Sequence, residues 1–317
     1  MNSAHNETSG DDNICILMST YQGDKHLMEQ LESIRNQTHR NWKLFVSDDG
    51  STDSTLTILR HFQSSLPSGQ IEIVDGPRRG FAANFMSLLL NTAIEGSYYA
   101  FSDQDDFWCD DKLSEATSKL KQSLGNRDVP AVYASARTLV DDTLKPIGKE
   151  GARRLVPSFT NALAQNIAGG NTIVLNNPMR RLLVDIGAVD IVSHDWWVYL
   201  VCTGAGGLFY YDEVPHLLYR QHLNNVIGTS RSLHSHLKSV RRVIGGQYRR
   251  WIDINGGSLS KAKWAFTTDN VRALEALISL RNTSAHKRVI NLLRSGVHRQ
   301  TRLGTAGLLL AYLLNMI

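Results

Sequence analysis

The chain has little of what would place it outside a cell or inside a bilayer. It holds three cysteines among 317 residues, Cys15, Cys109 and Cys202. They are odd in number, far apart and flanked by apolar or aromatic residues, which argues against a disulfide framework or a zinc site and leaves buried free thiols as the expectation. Residues 1–12 have neither a basic start nor an apolar centre, so they read as a solvated tail and not as a secretory signal. No apolar run reaches the roughly 20 residues that a spanning helix needs. No G-x-G-x-x-G follows the first apolar run and no G-x-x-x-x-G-K-[ST] occurs, so the dinucleotide and P-loop readings lose their usual support. These absences together predict a cytoplasmic protein.

What is present is an ordinary globular composition, 42% hydrophobic and 20% charged, in a chain long enough for one large domain and an appendage or for two domains. The net charge of +4 hides an asymmetry. From Arg231 to Ile317 there are fifteen Lys plus Arg against three Asp plus Glu, about +12, which leaves about −8 for residues 1–230. The two parts are expected to do different jobs.

Short apolar runs at Ile14–Met18, Trp42–Ser47, Ile71–Val74 and Tyr98–Ser102 read as buried strands, and three of the intervals carry Leu, Ile or Phe at helical spacing. Repeated strand and helix without a hairpin signal predicts an α/β fold with a mostly parallel sheet and right-handed crossovers. Further strands are expected near residues 131–134, 172–175, 208–211 and 214–219, with a close backbone approach at Gly169-Gly170-Asn171.

The fourth strand runs directly into Ser102-Asp103-Gln104-Asp105-Asp106-Phe107-Trp108. Carboxylates at the carboxyl end of a strand lie where open α/β sheets bind ligands. Closely spaced acids repel one another, and Mg²⁺ or Mn²⁺ held by one or two of them, with phosphate oxygens completing the shell, relieves that repulsion. The same acids also suit the N-terminus of the helix that follows.

Six motifs in order, Ser19-Thr20-Tyr21, Asp48-Asp49-Gly50-Ser51-Thr52-Asp53, Gly80 with Asn84, Ser102-Asp103-Gln104-Asp105, His194-Asp195 and Arg220-Gln221-His222, resemble the family 2 nucleotide-sugar glycosyltransferases of GT-A fold. The wording around Phe101 to Asp106 and Trp196-Trp197 is most similar to the bacterial rhamnosyltransferase branch, whose donor is dTDP-L-rhamnose. The resemblance implies a GT-A catalytic domain over residues 13–230 and sugar transfer with inversion from a nucleoside diphosphate to a glycan hydroxyl. It implies nucleotide-sugar contacts from Ser19, Thr20, Tyr21, Asp48, Asp49, Gly80, Asn84, Ser102, Asp103 and Gln104, and a divalent metal on Asp105 and His222. Asp195 would be the catalytic base, although His194 stands before it where many relatives have Glu.

Each residue also has a plainer reading: Asp195 as a helix cap, His222 as a loop hydrogen bonder, Arg78 and Arg79 as a solvated turn. Trp108 and Trp196 are expected as acceptor contacts, although large aromatics at such spacing also serve as core. Residues 231–317 read as a basic helical extension ending in a leucine-rich segment, suited to an anionic membrane surface or to packing on the catalytic domain or a second copy. No recognised nucleic-acid motif or aromatic interleaving accompanies the charge. A peripheral enzyme on the inner face of the cell membrane, acting on an oligosaccharide or lipid-linked glycan, reconciles the two halves. The rivals are another nucleotide-sugar donor such as a UDP-hexose, a nucleotidyltransferase, and an inactive glycan-binding scaffold.

Overall fold

The computed structural model describes residues 12–150, 155–221, 246–282, 284–314 and 316. The chain opens with strand β1 (Ile14–Thr20), helix α1 (Leu27–Arg35), β2 (Trp42–Asp48), α2 (Thr55–Ser64), β3 (Ile71–Asp75), α3 (Phe81–Leu89) and β4 (Tyr98–Ser102). β1 pairs in parallel with both β2 and β4, and β2 with β3, so Thr20, Asp48 and Ser102 end at one edge. Ile14 to Met18 are fully buried, which is why β1 is a continuous apolar run and not an alternating one.

Next come β5 (Phe107–Trp108), α4 (Lys112–Leu124), β6 (Ala131–Ser135), β7 (Thr138–Val140), β8 (Pro146–Lys149), α5 (Phe159–Ala162), β9 (Val174–Asn176), α6 (Asn177–Ile186), α7 (His194–Gly204), β10 (Leu208–Asp212) and β11 (Leu217–Arg220). The main sheet has seven strands in the order β10-β6-β9-β4-β1-β2-β3. It is parallel except for β9, which runs against both β4 and β6. The mostly parallel sheet flanked by helices is the predicted architecture.

A second sheet, β5-β11-β7-β8, was not anticipated. Its strands have two to four residues, too few to display a period. It lies beside the carboxyl edge of the main sheet and carries Arg220 under the Asp105 loop.

Among the described residues four α-helices follow: α8 (Gln247–Ala262), α9 (Thr268–Ile278), α10 (Ala285–Ser295) and α11 (Arg302–Leu313). Tyr248, Leu259, Leu274, Leu308 and Tyr312 belong to the same buried cluster as Trp197, Leu200 and Phe209, so the core is continuous from the sheet into the C-terminal helices. The leucine-rich end divides its side chains. Leu308, Ala311 and Tyr312 are buried, whereas Leu303, Leu310, Leu313 and Leu314 are exposed.

Candidate active site

The loops at the carboxyl edge are organised by side chains that spend their polar atoms on backbone. Asp48 accepts from Thr20 Oγ1 at 2.9 Å, Ser51 Oγ at 2.6 Å, Ser51 N at 2.7 Å and Gly50 N at 3.1 Å. It is buried and fixes the turn after β2. Asp49 accepts the backbone N–H groups of Arg78 and of Gly80, the latter at 2.9 Å, which ties that turn to the start of α3. Gly80 has φ 85°, the left-handed region open to glycine. Asn84 is fully buried and donates to Ser19 Oγ at 2.6 Å and Ser47 O at 2.9 Å.

Gln104 binds the backbone of Tyr21 in both directions, accepting from its N–H at 2.9 Å and donating to its C=O at 3.0 Å. That pair locks the loop after β4 to the loop after β1. A Cβ at Gly23 would stand 2.3 Å from Gln104 Oε1, so a larger residue there would displace this amide. Behind them Gln30, with its oxygen facing the donor-only indole of Trp108, accepts from Ser102 Oγ at 2.9 Å and Trp108 Nε1 at 3.1 Å and donates to Asp106 O at 2.7 Å.

These loops wall a cleft of about 930 Å³ lined by Ser19, Tyr21, Asp49, Arg78 and Gly80 on one side and by Arg137, Glu150, Gly169 and Tyr219 on the other, with Asp103, Gln104, Asp105 and Asp195 between them. Burial, then the charges of Asp105 and Asp195, push the Asp103 carboxyl up to about 7. Desolvation and like charge both disfavour the anion, so this floor attracts positive charge. Asp195 lies in the first turn of α7 and accepts from Trp196 N at 2.7 Å.

Three groups hold the floor in place. Arg220, almost wholly buried, donates to Asp105 O at 2.9 Å and also to Asp142 O and the Glu29 carboxylate. Asp106 is fully buried and accepts from Asn171 Nδ2; burial pushes its carboxyl well up. Lys112, also fully buried, puts its Nζ 3.5 Å from the centre of the Trp108 ring, and burial pushes its amine down to about 7.

His194 precedes Asp195 and is stacked on Phe85 at 4.0 Å, with Phe101 edge-on at 4.7 Å. Neither ring nitrogen has a hydrogen-bond partner among the described residues. Burial pushes this imidazole down to about 4. It is therefore a neutral packing residue that sets the start of α7. Gly170 makes room for it, since a Cβ there would meet His194 Nε2 at 2.3 Å.

Of the expected site residues, Ser19, Tyr21, Asp49, Gly80, Asp103, Gln104, Asp105 and Asp195 line the cleft. Thr20, Asp48, Asn84 and Ser102 are buried beneath it and shape its loops. Neither Trp108 nor Trp196 lines this cleft, where acceptor contact was expected of them. Trp108 is 0% exposed and Trp196 6% exposed, the latter donating its Nε1 to Ala162 O at 2.7 Å; both are core because their neighbours complete a buried face. His222 lies outside the described residues. Among the described residues no group of three His, Cys, Asp or Glu side chains is placed to hold a metal ion.

Sequence reasoning missed Arg137 and Glu150. Arg137 donates to Glu150 through Nη2 at 2.7 Å and Nε at 3.2 Å and covers the Tyr219 ring at 4.4 Å. Both ion-pair side chains are nearly buried. Thirteen residues and a hairpin separate them, a spacing that signals nothing. The one hint was Gly169, where a Cβ would come 2.4 Å from Arg137 Nη1.

Residues 15–165 match the family model described as Glycosyl transferase family 2. The dTDP-rhamnosyl transferase RfbG of Shigella flexneri is 33% identical over 246 residues, 74% of this chain and 81% of that protein. WfgD of Escherichia coli, a UDP-Glc:alpha-D-GlcNAc-diphosphoundecaprenol beta-1,3-glucosyltransferase, is 26% identical, covering 59% of this chain and 68% of its own. In fold, the S. aureus TarS structure with UDP-GlcNAc matches 90% of this chain and 93% of that one at a TM-score of 0.54 and 13% identity. The mannosyltransferase PcManGT from Pyrobaculum calidifontis, solved with GDP-Man and Mn²⁺, matches 96% of this chain and 87% of that one at 0.50 and 17% identity.

Proposed function

Since the chain belongs to glycosyltransferase family 2, we propose that it moves L-rhamnose from dTDP-L-rhamnose, with inversion, to a hydroxyl of a lipid-linked bacterial surface glycan. The observation that carries this reading is the convergence in one cleft of Tyr21 and Asp49 with Asp103, Asp105 and Asp195. The rhamnosyl donor rests on likeness to RfbG, and the lipid-linked acceptor on the acceptor that WfgD's name states.

In this reading Tyr21, Asp49 and Gly80 receive the nucleoside, and the sugar lies towards Asp195. The acceptor oxygen bonds to the anomeric carbon as the bond from that carbon to the diphosphate breaks, the electron pair leaving with dTDP. Asp195 takes the proton from the attacking hydroxyl, a role worth about two to four orders of magnitude. A single base and no covalent intermediate give inversion.

The donor set fits Mg²⁺ or Mn²⁺. Asp105 with Asp103 would hold it, since Mg²⁺ is commonly held by one or two carboxylates with substrate phosphate, and the raised affinity of Asp103 for a proton marks a site short of positive charge. A divalent ion held by these carboxylates would supply positive charge to the departing diphosphate.

The membrane part of the proposal rests on the extension. From Ala276 to Ile317 there are six Lys plus Arg and no Asp or Glu. Leu293 on α10 and Leu303, Leu310 and Leu314 at the chain end are exposed. No helix among the described residues is long and apolar enough to cross a membrane, and exposed leucines amid cations suit shallow burial in an anionic interface.

Calorimetric titration with dTDP, UDP and GDP, with and without Mn²⁺ or Mg²⁺, on the native chain and on Asp105→Ala, tests the site. Metal-dependent binding of dTDP, lost in the variant, is expected. Binding of UDP instead would move the reading to a UDP-hexose donor, and binding of none would overturn it.

A further inference from the structure

A second cavity among the described residues lies on the other side of α7 from the cleft. It measures about 220 Å³ and is bounded by Trp196 and Leu200 of α7, Ile252, Asn255 and Gly256 of α8, and Leu277 of α9, among others. One helix thus serves two spaces: Ser193, His194 and Asp195 face the cleft, and Trp196 and Leu200 face the cavity.

Two features of the wall are unexplained by packing. Asn255 is 5% exposed and accepts from Val192 N at 3.2 Å, yet its Nδ2 is buried without a hydrogen-bond partner among the described residues. Unpaired buried donors are rare, and each asks for a missing acceptor. Gly256 and Gly257 stand consecutively inside a 16-residue helix, where glycine weakens the helix. A Cβ added at either would meet nothing within 4 Å, so no neighbouring group of the protein demands them. Bare backbone on a cavity wall lets something else approach closely.

We propose that this cavity is a subsite for the aliphatic chain of the lipid-linked acceptor, with an oxygen at the head of that chain accepting from Asn255 Nδ2. The inference rests on the acceptor class proposed above. Chemistry favours a chain over a sugar, because most of the wall is Leu, Ile, Ala, glycine backbone and one indole edge whose Nε1 is already satisfied by Ala162 O, with Asp253, Ser260 and Tyr312 as the polar side chains besides Asn255. Size agrees: apolar cavities of about 150 Å³ accept benzene, so this one takes a short stretch of alkyl or isoprenyl chain and not a glycan. The partly exposed Ile278 on the lining, 44% exposed, gives an apolar mouth through which the rest of the chain can leave.

The test uses the full chain and farnesyl phosphate below its micellar concentration, read by tryptophan fluorescence and calorimetry, with inorganic phosphate as the head-group control. Saturable binding of farnesyl phosphate but not of phosphate is expected. Gly256→Leu, which fills the space with a better helix former, should weaken that binding at least about tenfold and leave dTDP binding and Tm unchanged. Gly257→Leu provides a second filling variant if the first fails to fold. Absent binding, or binding that a folded filling variant leaves unaltered, overturns the subsite. Loss of dTDP binding by the native chain would instead sink the transferase reading.

Discussion

Single residues separate chemistry from support. Asp195→Asn keeps the hydrogen bond to Trp196 N but removes the proposed base, so turnover should fall about 10²- to 10⁴-fold while calorimetric dTDP binding stays the same. Arg220 contacts no cleft space itself; it donates to the backbone of Asp105 and to the carboxylate of Glu29. Arg220→Met should cost about 1–3 kcal/mol of stability, the scale of leaving the Asp105 and Asp142 carbonyls without their donor, since Glu29 is half exposed, and also weaken metal-dependent nucleotide binding; a stability loss with binding intact would refute its positioning of Asp105. His194 gives a pH signature. The unfolded imidazole protonates near its ordinary value, whereas the buried ring stays neutral down to about 4. Its contribution is therefore complete above about pH 6.5 and is lost as pH falls towards 4, about 3 kcal/mol in all. Urea midpoints across that window should fall less steeply for His194→Phe than for the native chain.

At the scale of elements, the turn at residues 169–172 and α7 hold each other. Gly170 admits the His194 ring, Gly169 admits the Arg137 guanidinium, and Asn171 bonds Asp106. Gly170→Ala should push the ring off Phe85, cost about 1–3 kcal/mol by overpacking, and reduce turnover because Asp195 follows in the same helix turn. Thermal melts and initial rates on one preparation check both effects. The six-motif pattern was readable because each motif lies within one loop. The support of those loops was not: Arg220 meets Asp105 across 115 residues, and Gln30 meets Ser102 across 72.

For the whole molecule the question is how the basic extension relates to the catalytic part. Leu274, Leu308 and Tyr312 share a core with α7, so truncation before α11 should lower stability by exposing that core and not yield an independent enzyme. The exposed face is a different matter. Leu303→Glu with Leu310→Glu alters side chains that contribute little to the core and should leave Tm within a few degrees. Flotation with vesicles containing anionic phosphatidylglycerol should show binding by the native chain and its reduction in the double variant.

Sequence alone determined the alternation of strand and helix, the burial of β1 and the edge where the acids collect, because each follows from local periodicity and from where an apolar run ends. It also determined the charge asymmetry, which needs only counting. Tertiary structure decided which of the named polar residues face the cleft and which lie beneath it. Asp48 and Asp49 are adjacent in the chain, yet one is consumed by its own turn and the other lines the cleft. Trp108 and Trp196 went to the core because neighbouring elements close over them, and Arg137 reached the cleft because a hairpin turns it there beside Glu150. Local pattern fixes which atoms are available; only the packing of distant segments decides which of them meet solvent, substrate or one another.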